Sequence, residues 1–384
     1  MQVYLDNAAT TPIHPKVIEK MLPIIKEVYG NPSSIHTYGR KVRVLIEETR
    51  EIVADFINAK PSEIYFTSSG TEANNLAIFG IANEEYHHSG KNIIVSDAAE
   101  HQAVLEPIQE LGKSGFNPIL LDLNSDTSIK LNDITRIITP DTALVSIMHI
   151  NNETGCINNL DKIINLCNSQ AVIFHTDAVQ SFGKIRIDVT KNNIDSLCGS
   201  GHKIFGPKGV GVLYLRSGTP LKPLIYGGSQ ERNRRAGTEN PVSIIGLAEA
   251  VRIADKEMME NENIVINLKN YFMEGINSIN KGDIIINGGD NTSPYILSIT
   301  LNSKYYINDA EAMLIYLDLN GIAVSNGAAC TSGTLKPSHV ILSSGKSIDD
   351  ANGTIRFSFS PINTKIEIDY TIEILKKMRV KFRK

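Results

Sequence analysis

The early part of the chain carries its apolar residues at helical spacing. In 15–29, Val17, Met21, Leu22, Ile25 and Val28 fall near one face of a 3.6-residue repeat, which predicts a helix burying that face. A longer helical pattern covers 37–58, and the Gly30-Asn31-Pro32-Ser33-Ser34 stretch before it has the residues of a loop. The pattern then shifts to short apolar runs at 64–67, 92–96, 143–150, 171–174 and 211–215. Such runs predict strands buried on both faces, and helices fall between them. Alternation of this kind implies a mostly parallel sheet with right-handed crossovers. One long helical pattern spans 241–279. Beyond it come strands near 283–287, 296–301 and 353–359, a helix at 309–319 and a C-terminal helix. The expected architecture is α/β: a large domain over 15–255 with a mostly parallel mixed sheet between helices, and a smaller α+β domain from 1–14 and 256–384.

Composition narrows the class without changing this picture. The chain has 384 residues, a hydrophobic content of 42% and a net charge of −4. The charge argues against a direct nucleic-acid surface. No apolar run approaches membrane-spanning length, and the start reads directly into Val3-Tyr4-Leu5-Asp6 with no signal-like segment, so a cytoplasmic protein without membrane attachment is expected. Cys156, Cys167, Cys198 and Cys330 form no C-x-x-C pair, which speaks against a disulfide framework or a zinc site. His87 and His88 read as solvated loop residues, and no metal is expected.

The candidate chemistry centres on 195–209. A short apolar run feeds Gly199-Ser200-Gly201-His202-Lys203. Small residues let backbone approach a ligand closely, and Ser200 can hydrogen-bond a phosphate. A partly desolvated lysine can lose its proton and form a Schiff base. Taken alone, the segment reads more readily as a plain turn with a surface lysine. Upstream, the run at 171–174 ends in His175-Thr176-Asp177-Ala178-Val179-Gln180, at the strand end where open α/β sheets bind ligands. Asp177 is placed to keep a pyridine nitrogen protonated, and Gln180 to reach a ring oxygen. The run at 64–67 leads through Ser68-Ser69-Gly70-Thr71 into a helix start, an anion site by its free N–H groups and dipole. Ser69 or Thr71 also serves as an ordinary cap. Together these parts call for pyridoxal phosphate (PLP).

At this point the chain resembles the PLP-dependent cysteine desulfurases of the NifS/IscS-like family, within the aminotransferase class-V group of PLP fold type I. The likeness runs from Tyr4-Leu5-Asp6-Asn7-Ala8-Ala9-Thr10-Thr11 to Arg356-Phe357-Ser358. It implies that Lys203 carries PLP, that Gly70, Thr71 and Ser200 surround its phosphate, and that His202 also binds the cofactor. His101 would stack on the ring and handle protons; an isolated histidine is otherwise usually structural. Asn152, in a turn-like Asn pair, would stand near the PLP oxygen and the substrate. Arg356 would clamp the substrate carboxylate as a two-pronged guanidinium pair, although an alternating strand can also simply expose an arginine. The polar loop 226–240, which composition alone makes a solvated loop, would cross a homodimer interface and bring Thr238 to the partner's phosphate.

Cys330 lies among small and polar residues in Val324-Ser325-Asn326-Gly327-Ala328-Ala329-Cys330-Thr331-Ser332-Gly333-Thr334, unlike a packed structural thiol. It is followed by Leu335-Lys336-Pro337-Ser338-His339, which is similar to the long loop of type-one family members. The family more often has serine where Ala328 stands and Ser or Ala where Asn326 stands. The resemblance implies conversion of L-cysteine to L-alanine with a persulfide on Cys330, and catalysis by Cys330, Lys203 and His101. The sulfur would pass to an acceptor protein, an iron–sulfur scaffold or a tRNA-thiolation enzyme. Selenocysteine lysis or another PLP-dependent amino-acid reaction is the alternative; the Cys330 loop argues against a transaminase, which needs no nucleophilic thiol.

Overall fold

The computed structural model describes residues 1–131, 134–327, 330–331 and 334–384, with backbone alone for 330, 331, 334 and 335. Strand β1 (Val3–Tyr4) is followed by α1 (Pro15–Glu27), α2 (Thr37–Ile57), β2 (Ile64–Thr67), α3 (Gly70–Ser89), β3 (Ile93–Asp97), α4 (Gln102–Lys113), β4 (Asn117–Leu121), α5 (Ile134–Ile137), β5 (Thr142–Ser146), α6 (Leu160–Ser169), β6 (Ile173–Asp177), β7 (Ser196–Ser200), β8 (Gly211–Leu215) and α7 (Pro241–Ile279). Then come β9 (Ile284–Asn287), β10 (Ile296–Leu301), α8 (Ala310–Leu319), β11 (Ile322–Ala323), β12 (Cys330–Thr331), β13 (Thr334–Leu335), α9 (His339–Ser343), α10 (Ile348–Asn352), β14 (Thr354–Ser358) and α11 (Lys365–Lys381).

Seven strands form one sheet in the order β2-β8-β7-β6-β5-β3-β4. Strand β8 runs antiparallel to both its neighbours, and every other pair is parallel. The unbroken apolar runs have a direct cause: adjacent residues of one strand feed opposite cores. Val95, Val145, Leu197 and Val212 pack on one side, and Ile94, Leu144, Cys198 and Leu213 on the other. The C-terminal part builds an antiparallel sheet, β14-β10-β9, with its own core around Phe272, Leu297 and Phe357. Val3, Leu5 and Ala8 belong to that core, so the first residues are joined to the last third of the chain.

Four local expectations change. His87 and His88 are exposed, but they lie in the last turn of α3 and not in a loop. Leu22 and Ile25 are exposed, at 46% and 60%, because α1 turns Val17, Ile24 and Val28 inward instead. The strand expected over 143–150 ends at Ser146. Beyond it the backbone is held by single bonds, Ile147 N–H to His175 and His149 N–H to Asp177. The run at 171–174 begins as strand only at Ile173, since Ala171 takes a left-handed turn (φ 51°). Among the described residues no helix is long and apolar enough to cross a membrane, and no group of three His, Cys, Asp or Glu residues is placed to hold a metal.

Candidate active site

The carboxyl ends of β5, β6 and β7 open on a cavity of about 400 Å³. Lys203 enters it from a tight turn after β7, where the N–H groups of Ile204 and Gly206 both return to the Gly201 carbonyl. The turn admits no side chain at 206, because a Cβ there would stand 2.7 Å from that carbonyl oxygen. Lys203 Nζ donates to the carbonyls of Ala8 (2.6 Å) and Ala9 (2.7 Å). Burial, aided by the Arg356 charge, pushes its amine down to about 8. At pH 7 about one such lysine in ten is neutral, against about one in three thousand for an ordinary value of 10.5.

Asp177 ends β6 with both oxygens held. Oδ1 accepts from Val179 N–H (2.9 Å) and Oδ2 from Asn74 Nδ2 (2.7 Å). The Asn74 Oδ1 in turn accepts from His175 Nε2 and Cys198 Sγ, each at 2.9 Å. With Nε2 the donor, His175 Nδ1 accepts from Ser196 Oγ (2.9 Å). Burial pushes His175 down to about 4, so it stays a neutral link at physiological pH. The carboxylate is thereby aimed by a buried polar chain whose members each have a partner.

Beside it, Gly70 and Thr71 open α3, whose N-terminus carries about half a positive charge. Ser200 Oγ is buried there and without a hydrogen-bond partner among the described residues. A Cβ on Gly70 would stand 2.7 Å from the Val179 side chain, so only glycine keeps this approach open. His202, whose Nδ1 lies 3.1 Å from Thr10 Oγ1, is pushed down to about 4 by burial and the nearby lysines. An orphaned hydroxyl beside free helix N–H groups suits a phosphate.

The remaining wall holds His101, Gln180, Asn152 and Arg356. His101 caps α4, with Nδ1 accepting from Ala103 N–H (3.0 Å), and burial lowers its pKa. Arg356 bonds Asp6 Oδ1 (2.7 Å) and the Asn152 carbonyl (2.9 Å), while its buried Nε has no partner among the described residues. Gln180 gives Nε2 to the Ala8 carbonyl (2.9 Å) and takes a bond from Lys184 Nζ (3.1 Å), so its amide is engaged with the N-terminal arm.

Ten of the residues singled out from sequence thus ring one cavity: Gly70, Thr71, His101, Asn152, Asp177, Gln180, Ser200, His202, Lys203 and Arg356. Thr238 is exposed and lies outside it. The Cys330 backbone pairs with Leu335 across β12 and β13, and its side chain is outside the described residues. Sequence reasoning missed Asn74, Asp6, the Ala8 and Ala9 carbonyls, and the role of His175. His175 and Asn74 had a readable signal: His175 lies two positions before Asp177 on the same strand face, and Asn74 one helical turn after Gly70.

A depressed lysine, a fixed carboxylate and an anion cradle are the parts PLP requires, and the guanidinium suits a substrate carboxylate. Residues 3–371 match the family described as aminotransferase class-V. The chain belongs to this family. Class-V proteins of this kind are PLP-dependent, and the cavity's residues fit that cofactor. Within the class, the chain is 43% identical to the protein named cysteine desulfurase IscS of Dictyoglomus turgidum, over all of this chain and 95% of that one. It is 39% identical to the same-named protein of Methanosarcina thermophila, with 99% and 93% covered. A solved NifS-like protein superposes over the full length of both chains with a TM-score of 0.91 and 33% identity. A structure titled SspA in complex with cysteine gives 0.81 and 34%, over 94% of this chain and all of that one. The class-V fold seen here, an α/β unit on a mostly parallel mixed sheet, is PLP fold type I.

Proposed function

We propose that this protein is a PLP-dependent cysteine desulfurase that converts L-cysteine to L-alanine and collects the sulfur as a persulfide on Cys330. The observation that carries the reading is the meeting, in one cavity, of the depressed Lys203 amine with an Arg356 whose Nε has no acceptor among the described residues. The class-V relatives are titled cysteine desulfurases, which leaves the other PLP reactions weighed above without support.

Lys203 would hold PLP, with Gly70, Thr71, Ser200 and His202 at its phosphate, Asp177 at the ring nitrogen, and Gln180 and Asn152 toward the ring oxygen. When bound, PLP supplies an electron sink for bonds broken at the substrate's carbons. Arg356, which lines the cavity, receives the substrate carboxylate. Lys203 or His101 moves the Cα proton; burial brings the lysine amine down to about 8, nearer the working pH, and keeps His101 a neutral imidazole able to accept a proton. The Cys330 thiolate then attacks the substrate sulfur. An S–S bond forms as the C–S bond breaks, the electron pair stays with the carbon fragment, and protonation yields L-alanine. The test is one turnover with L-cysteine: equal amounts of alanine and of Cys330 bearing one extra sulfur, read by mass spectrometry without reductant. Alanine without that mass shift would overturn the reading.

Lys203 must be neutral to attack an aldehyde. Its pKa near 8 places the gain in free amine between about pH 7 and 9, rising with pH. The rate of PLP uptake by cofactor-free protein is therefore expected to climb through this window with a midpoint near 8. A flat profile from pH 7 to 9 would contradict the assignment.

The same reading makes the protein a homodimer with shared sites. Ile18, Leu22 and Ile25 on α1, Tyr29 just beyond it and Tyr38 at the start of α2 are exposed apolar side chains, and Thr238 stands outside its own cavity. Light scattering should report a dimer. Mixing the inactive Lys203→Ala and Thr238→Ala proteins should restore part of the activity; no restoration would speak against sharing. The partition into a large unit over 15–255 and a small unit from 1–14 and 256–384 is supported by the separate cores. The sulfur acceptor is an iron–sulfur scaffold or a tRNA-thiolation enzyme. The compartment is the cytoplasm, whose reducing state suits free thiols at Cys156, Cys167 and Cys198.

A further inference from the structure

Glu153 has no part in the chemistry above, yet the residue is only 3% exposed and lies on the cavity wall. Its backbone is fixed. Asn151 Oδ1 accepts from the N–H groups of Glu153 and Thr154, both at 2.9 Å, and Asn151 Nδ2 donates to the Ala99 carbonyl at 2.9 Å. The carboxyl therefore projects from a rigid turn.

Two residues that flank Cys330 in sequence meet this one group. On the C-terminal side, the Ser338 hydroxyl donates to Glu153 Oε2, while its oxygen caps α9 by accepting from Ile341 N–H. On the N-terminal side, Gly327 lies flat against the carboxyl at φ +85°. A Cβ there would stand 2.6 Å from Oε2 and 2.7 Å from Cδ, so only glycine permits the approach. The same turn reaches the guanidinium. The Asn152 carbonyl accepts from Arg356 (2.9 Å), and the Arg356 backbone pairs in both directions with Ser325 (2.6 and 3.3 Å).

Simple packing would be served by an apolar side chain. A buried carboxyl is costly unless its contacts are specific. Burial raises the Glu153 pKa, and Ser338, His339 and Arg356 oppose the rise. We propose that Glu153 is a positioning residue that clasps both stems of the Cys330 segment and sets their placement against Arg356. Its catalytic consequence rests on the desulfurase reading; its structural consequence does not.

The test uses the PLP-loaded enzyme with Glu153→Ala and Glu153→Gln. Cysteine affinity is read from the cofactor absorption, persulfide formation in a single turnover, and Cys330 reactivity from its alkylation rate by peptide mass mapping. Glu153→Ala should leave cysteine affinity within about twofold and slow persulfide formation roughly tenfold to a hundredfold, as a misplaced reacting group does. The Cys330 alkylation rate should change severalfold. Glu153→Gln, which keeps an oxygen for Ser338, should restore most of both. Should Glu153→Ala not fold, Ser338→Ala removes the same bond and is expected to alter the same two rates. Wild-type rates in Glu153→Ala would overturn the proposal, as would equal losses of affinity and rate. A wild-type protein that forms no persulfide, with Cys330 alkylation still altered by Glu153→Ala, would uphold the clasp and overturn the desulfurase reading.

Discussion

Replacing Lys203 by alanine should abolish alanine formation from cysteine, by roughly a thousandfold or more, because the group that binds the cofactor covalently is gone. The fold should survive. The Lys203 side chain is held by two carbonyls of the N-terminal arm and supports no core contact that the arm lacks elsewhere, since Ala8 N–H bonds Ser358 Oγ at 2.8 Å and Asn7 Nδ2 bonds the Ser358 carbonyl at 2.9 Å. Borohydride reduction of the loaded wild-type protein, followed by peptide mapping, should place the pyridoxyl group on Lys203. Two other lysines make the experiment discriminating. Lys208 is exposed and close in sequence. Lys184 is buried beside Gln180 with its amine pushed down to about 7, so by basicity alone it would be the more reactive. Lys184 does not line the cavity that holds Asp177 and Arg356, and geometry decides for Lys203. Label on Lys208 or Lys184 would refute the assignment.

Cys330→Ala should leave PLP loading and cysteine binding intact and stop sulfur removal, since it takes away only the nucleophile. Alkylation of the wild-type protein should reach Cys330 ahead of the other thiols. Cys156 and Cys167 are buried and pushed up to about 11 and about 12, and Cys198 is raised by burial and by Asp177. At pH 7.5 an unperturbed thiol near 8.5 is about one-tenth ionised, while one near 11 is ionised in fewer than about one molecule in a thousand. The buried thiols are therefore poor competitors for the reagent. Undiminished alanine production by Cys330→Ala, with persulfide on Cys156 or on no residue, would sink the mechanism.

The strands were legible because a strand buried on both faces must be apolar at successive positions, as at Leu144 and Val145 or Val212 and Leu213. The cavity residues were legible where a short motif carries its own mechanism, as in the turn at Lys203 and the helix start at Gly70. Leu22 and Ile25 misled, because helical spacing shows an apolar face but not whether this chain or another surface covers it. Gln180 was legible as a site residue, but its engagement with Ala8 and Lys184 was not. Partners far apart in sequence leave no local trace: Asn74 meets Asp177, Asp6 meets Arg356, and Glu153 meets Ser338 only after the chain has folded back on itself.

The carbonyl cradle under Lys203 carries a consequence for the order of events during synthesis. Ala8 and Ala9 are placed by an arm stitched to Ser358, whose N–H bonds the Leu5 carbonyl at 2.7 Å. Arg356, two residues earlier, binds Asp6 of the same arm. While a ribosome is still making the middle of the chain, Lys203 has emerged but the strand that anchors its cradle has not. Contacts that span nearly the whole sequence close last. The lysine therefore acquires its final surroundings only after about residue 358 has left the exit tunnel, and the cofactor meets a finished site only from that point on.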